Sequence, residues 1–227
     1  MMKRSLTPFT RDYWKHAANE LKDTRMLVFA ALIVALRVAV KSMRIPIAQD
    51  LHIMIEFLPT ALGSMVYGPI VALLSGAVSD VVGVLLFPAG PYFPPFTLLA
   101  MLSSLLFALF FYRAPVTLVR SILSKASVNL LCNIILTPII LSWMRGRAAF
   151  VMEIPRIIKN IILLPIEVIA LYMVLRAMWP PLRRHRFVSL PEGADGSLGR
   201  VETFLRKMLA SLLTPFGGKK AGGGDAA

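Results

Sequence analysis

Residues 53–87 read IMIEFLPTALGSMVYGPIVALLSGAVSDVVGVLLF, with Glu56 and Asp80 as the only charged side chains. A bilayer's hydrocarbon core is about 30 Å thick, and roughly 20 apolar residues in a helix cross it. The stretch divides at Gly68-Pro69, since glycine and proline terminate helices and Tyr67 before them suits a membrane interface. Two apolar runs result, Ile53–Tyr67 and Ile70–Phe87. Both are short for a bilayer. They tilt little, thin it locally or extend through the Gly68-Pro69 break.

Four more apolar runs flank this pair: Thr24–Met43, Phe96–Tyr112, Leu118–Trp143 and Pro155–Trp179. Between them lie segments that interrupt helices. Residues Arg44–Leu51 carry Pro46 and Asp50 as turn signals, and Pro88–Pro95 is too proline-rich to continue a helix. Pro155 suits a first helical turn, and Pro180-Pro181 is expected to stop the last run. Hydrophobic residues make up 57% of the 227-residue chain, and the mean hydropathy is +0.71. The expected fold is all-α: an integral membrane bundle of six transmembrane helices. Residues 1–23 form a polar N-terminal segment, 24–179 the membrane domain and 180–227 a tail. No secretory signal peptide is evident.

The net charge is +13, which by itself fits a nucleic-acid partner. The basic residues instead gather at the ends of apolar runs, the pattern that sets membrane orientation. Lys3, Arg4, Arg11, Lys15, Lys22 and Arg25 precede or open the first run. Arg113, Arg120, Lys125 and the tail from Arg176 fall on the same side, and Lys41, Arg44, Arg145, Arg147, Arg156 and Lys159 on the other. The bias puts both termini in the cytoplasm and the protein in the cell membrane, with no nucleic-acid partner. Cys132 is the single cysteine, so no internal disulfide forms.

Ionisable residues inside spans are costly and usually face a site or another helix. Arg37, Glu56, Asp80, Lys125, Lys159 and Glu167 qualify, with Asn129, Asn133 and Asn160. By depth, Glu56, Asp80, Arg156, Lys159 and Asn160 converge on the outer leaflet beside a loop carrying Tyr92 and Phe93. Cations, carboxylates and aromatic rings together suit an anionic heteroaromatic ligand. Interface snorkelling and helix pairing explain the same residues. Lys125 and Glu167 reach similar depth on antiparallel neighbours and are expected to pair.

Catalytic patterns are missing. His16, His52 and His185 are far apart in sequence, and Gly217-Gly218-Lys219-Lys220 has neither the spacing nor the hydroxyl of a phosphate-binding loop. The reading is therefore a membrane protein that is not an enzyme and has no cofactor, with movement of a solute as the fitting role. Energy for uphill movement comes from an ion gradient or from a partner ATPase.

Several blocks carry a family resemblance. They are Tyr67-Gly68-Pro69, Gly76-Ala77-Val78-Ser79-Asp80-Val81-Val82-Gly83, Pro88–Pro94, and Pro155-Arg156-Ile157-Ile158-Lys159-Asn160 followed by Leu164-Pro165-Ile166-Glu167. With Leu21–Arg25 they make the chain, from about Leu21 to Trp179, resemble the substrate-binding (S) component of energy-coupling factor transporters, folate family. The loop departs from the family's pattern, reading Tyr92-Phe93-Pro94-Pro95 where glycine is expected last. The resemblance implies a six-helix protein that binds a vitamin from outside with high affinity. It then joins a transmembrane coupling subunit and two ABC ATPases and topples in the bilayer to release its cargo. It also implies that Ala31, Ala35 and Ala39, a stripe of small residues in the first run, dock the coupling subunit; chance accounts for the spacing as well. On chemical grounds Arg156 and Lys159 suit a ligand carboxylate, and Glu56 or Asp80 suits the ring N–H groups of a pterin. Asn160 adds a donor and acceptor, and Tyr92 and Phe93 lid or stack. Alternatives are another vitamin or a modified-base precursor, and, in a different class, an ion-coupled permease acting alone.

In the tail, Leu198, Val201, Phe204, Leu205, Met208, Leu209, Leu212, Leu213 and Phe216 recur at helical spacing. They predict an amphipathic helix over about 198–216 that lies on the cytoplasmic leaflet or packs on a partner.

Overall fold

The computed structural model describes residues 11–42, 45–48, 51–53, 55–88, 92–145, 154–185 and 187. The expected tail helix at 198–216 lies outside the described residues. Helix α1 (Arg11–Asn19) leads through a 3-10 turn, Glu20–Lys22, into α2 (Thr24–Ser42). Two short strands follow, β1 (Ile45–Ala48) and β2 (Leu51–Ile53). Then come α3 (Phe57–Leu86), α4 (Pro94–Phe111), α5 (Leu118–Val128), a π-helical stretch (Asn129–Leu136), α6 (Thr137–Arg145) and α7 (Ile154–Arg184). Among the described residues each apolar run read from the sequence is largely helical, and the second begins its helix at Phe57, after Ile53 in β2. The segment expected as a loop pairs antiparallel instead, Ile45 facing Ile53 and Pro46 facing His52. A two-stranded sheet consists of edges, where a proline without an N–H is tolerated.

Helix α3 consists of two helical arms joined at Gly68, where the chain folds back on itself. Gly68 has φ 75° and ψ −177°, a conformation essentially restricted to glycine, and Pro69 restarts the helix. The Tyr67 hydroxyl bonds Ser75 at 2.9 Å, while its Cζ lies 2.7 Å from where a Gly63 Cβ would stand. In a straight helix, residues 63 and 75 would be about 18 Å apart. The arms 57–67 and 69–86 therefore run back along each other, as the two-run reading requires. A side chain at Gly68 would also meet the Tyr112 ring at 2.8 Å.

The arms pack on α2 and α4. At Gly76 an added Cβ would lie 2.9 Å from the Ala100 carbonyl oxygen, so glycine permits the close α3–α4 approach that membrane helices use. Ala61, Met65, Phe107, Phe111, Leu171 and Leu175 join α3, α4 and α7 in the larger apolar core; Ala30, Ile33, Tyr67, Val71 and Ala108 form a second. The outward faces are apolar too. Leu74, Val78, Val81 and Leu85 stripe α3, and Ile158, Ile162, Ile166, Ile169 and Met173 stripe α7. Water does not tolerate such continuous apolar faces, and lipid does. Among the described residues, Pro94–Phe111, Leu118–Met144 and Ile157–Arg184 are each long and apolar enough to cross a membrane, and Phe57–Leu86 is so by length and composition but divides into two arms at Gly68.

Two features of the later helices differ from the sequence reading. Helix α7 continues through Pro180-Pro181 to Arg184. The prolines leave carbonyls one turn back without donors, but Arg176 and Ala177 there are exposed and open to other donors. Within the fifth run the helix widens. Thr137 closes the π stretch by donating both its N–H and its hydroxyl to the Cys132 carbonyl, the latter at 2.7 Å.

Candidate functional site

Glu56, at the N-cap of the first arm of α3, and Asp80, within the second, each stand twelve residues from Gly68. The fold-back thus brings both carboxylates to the same depth, about 18 Å from the turn. Helix α2 meets them with cations one turn apart. Arg37 reaches Glu56 Oε1 at 3.4 Å and Ser104 Oγ at 3.2 Å. Lys41 reaches Asp80 Oδ1 at 2.9 Å. On its other oxygen, Asp80 accepts from the Thr97 hydroxyl at 2.8 Å, which in turn bonds the Tyr92 hydroxyl at 2.9 Å. A chain of polar groups so runs from Lys41 through Asp80 and Thr97 to Tyr92, which is about half exposed. Arg37 is 1% exposed, and its Nε has no hydrogen-bond partner among the described residues.

A second cluster sits between α5, the π stretch and α7. Lys125 pairs with Glu167 at 3.3 Å, as depth matching predicts. Asn129 Nδ2 donates to Glu167 at 3.4 Å and to the Asn160 backbone carbonyl at 3.3 Å, while its Oδ1 accepts from Asn133 at 2.9 Å. Lys125 Nζ also lies 3.7 Å from the centroid of the Phe57 ring, a cation–π contact. Phe57 follows Glu56 directly, so the two clusters adjoin at the start of α3.

The residues expected to converge are therefore sorted into two neighbouring groups. Glu56, Asp80 and Tyr92 belong to the first. Asn160, buried, and Lys159, half-buried, stand at the second. Phe93 turns its ring toward Phe96, edge-on with centroids 6.1 Å apart. The Arg156 side chain lies outside the described residues. Ala31, Ala35 and Ala39 share an exposed face of α2. Sequence reasoning set Lys41 among the loop-end cations and overlooked Thr97. The missing signal was the equal distance of Glu56 and Asp80 from Gly68, which is informative once the turn is known to reverse the chain.

Comparison with known proteins places this arrangement. The family model described as "ECF-type riboflavin transporter, S component" matches residues 22–177. The folate transporter FolT of Clostridium novyi (strain NT) is 32% identical over 155 residues, spanning 67% of this chain and 88% of that relative. FolT of Leuconostoc mesenteroides is 32% identical over 161 residues, spanning 67% and 85%. A solved structure, "Crystal structure of FolT bound with folic acid", superposes with a TM-score of 0.62 at 38% identity, covering 67% of this chain and 92% of that one. The matched region contains both arms of α3, the paired carboxylates and the Lys125–Glu167 pair, and the chain belongs to the S components of ECF-type transporters, multi-pass proteins of the cell membrane.

Proposed function

We propose that this S component captures folate, or a folate-like anion, at the polar band formed by α2, α3, α4, α5 and α7. The observation that carries this reading is the gathering of charged and polar side chains inside an otherwise apolar bundle. Arg37, Lys41 and Lys125 stand there with Glu56, Asp80 and Glu167, and Lys159 lies beside them. Ionisable groups held within a membrane bundle mark a substrate site. Folate brings carboxylates for the cations and a flat ring with N–H donors for a carboxylate. Its pterin suits Asp80, which Lys41 and Thr97 orient, with Tyr92 beside it. Its carboxylate tail suits Lys159, Asn160 and Arg156. Glu56 is held by Arg37 and serves the site by fixing the start of α3.

The relatives support this ligand, being named for folate, and the similar solved structure contains folic acid. The family description names riboflavin, which makes riboflavin the competitor to measure. In this reading the chain hydrolyses nothing. It docks through Ala31, Ala35 and Ala39 on a membrane coupling subunit driven by two ABC ATPases, with both termini in the cytoplasm. Proteoliposomes carrying the chain with and without that module test the arrangement. ATP-dependent folate uptake should need both; uptake by the chain alone, driven by an ion gradient, would reject it.

A further inference from the structure

One end of the bundle is strongly basic, and α1 lies on it. Helix α1 has two faces. Tyr13 and Ala17, one turn apart, are 1% and 0% exposed. Tyr13 donates its hydroxyl to the Ala108 carbonyl at 3.3 Å and meets the Tyr112 ring edge-on at 5.3 Å. Glu20, in the next turn, accepts from the Tyr112 hydroxyl at 3.0 Å and pairs with Arg113 at 3.6 Å. These contacts fasten α1 across the C-terminus of α4, beside the Gly68 turn.

The opposite face carries Trp14, 39% exposed, and the exposed Lys15. Lys22 and Arg25 are exposed just beyond. Of the described carboxylates nearby, Glu20 is engaged by Arg113 and Asp23 by the Arg25 backbone N–H at 2.9 Å. One and two turns into α2, Val28 and Leu32 are 65% and 64% exposed, an apolar face that belongs in hydrocarbon. Lys22 and Arg25 therefore stand just outside the hydrocarbon edge, at headgroup depth, where tryptophan also prefers to sit.

We propose that α1 and the start of α2 form a binding surface for anionic phospholipid headgroups, with Trp14 seated at the interface and Lys15, Lys22 and Arg25 contacting the lipid phosphates. The basic character continues around the same end. The Phe29 ring packs 5.3 Å from Phe187, which brings the end of α7 with exposed Arg183 and Arg184 alongside. A surface charge of this density attracts anionic lipid within about a Debye length of the membrane. The inference is independent of which vitamin the chain carries.

The test uses the full chain in nanodiscs, with Trp14 left as sole tryptophan by W143F and W179F. Brominated phosphatidylglycerol should quench Trp14 at about fivefold lower mole fraction than brominated phosphatidylcholine. Raising salt should shrink the difference, and K15Q/K22Q/R25Q should remove it while substrate binding persists. Equal quenching by both lipids overturns the proposal. The unmodified chain gives a second reading through the phosphatidylglycerol it retains after detergent extraction, counted by mass spectrometry; no difference from K15Q/K22Q/R25Q also overturns it. If the coupling module shields Trp14 from both lipids and the triple variant fails to assemble, the surface belongs to a protein partner and the lipid assignment fails.

Discussion

Lys125 is 3% exposed and touches Glu167 and the face of Phe57. An ammonium in such a place is stable only while its partners remain, because breaking a buried pair strands the other charge at a cost of about 3–5 kcal/mol. Lys125→Gln and Glu167→Gln should each lower the unfolding midpoint, and the exchange K125E/E167K should recover part of the loss. Thermal unfolding of the purified chain measures this; an exchange no more stable than either single variant would mean that the two groups do not depend on each other. This pair was legible in the sequence because helix rise alone fixes depth on antiparallel neighbours. The Arg37–Glu56 and Lys41–Asp80 pairs were not, because they depend on which helix adjoins which. Local residue pattern cannot tell whether Lys41 turns inward to a carboxylate or outward to headgroups.

At the scale of elements, the reversal of α3 at Gly68 positions the site. Gly68→Ala forces an alanine into a backbone conformation costing about 1–3 kcal/mol and sets its methyl against Tyr112. It should destabilise the chain and weaken substrate binding together, since Glu56 and Asp80 share depth only through this turn. Substrate affinity and thermal midpoint in the same sample check the prediction; an unchanged midpoint would show that the turn adapts. The Gly68-Pro69 break was readable as sequence, and its angle was not, for a kink and a reversal use the same residues. The exposed face of α2 makes a contrasting prediction. Ala35→Leu fills that face without touching the core, so binding to the isolated chain should survive while ATP-driven uptake falls. Equal loss of both would assign the stripe to packing within the bundle. The β-hairpin and the π stretch left no clear trace in the sequence. The first depends on two short segments meeting, and the second on how Thr137 and Pro138 settle the carbonyls behind them.

For the whole molecule, the distribution of charge sets orientation. Among the described side chains, Lys15, Lys22, Arg25, Arg113, Arg120, Arg183 and Arg184 gather at the end holding the Gly68 turn, with Glu20 and Asp23 as acids. By the positive-inside rule, the proposed function places that end in the cytoplasm and opens the Asp80 side to the exterior, an orientation that labelling tests. Cys132 is buried, so a cysteine added at the C-terminus should label from outside only after the cells are permeabilised. Labelling in intact cells would reverse the topology.

Equilibrium titration of folate into the purified full chain, with riboflavin as competitor and Asp80→Asn in parallel, bears most directly on what the protein does. The Asp80 carboxylate loses its charge in that variant but keeps its shape, and a charge-assisted hydrogen bond contributes about 1.5–3 kcal/mol. Folate should bind saturably at one site, resist displacement by riboflavin, and lose about tenfold or more in affinity with Asp80→Asn. Displacement by riboflavin at lower concentration than folate, or folate affinity unchanged by Asp80→Asn, would contradict the assignment of this site to folate.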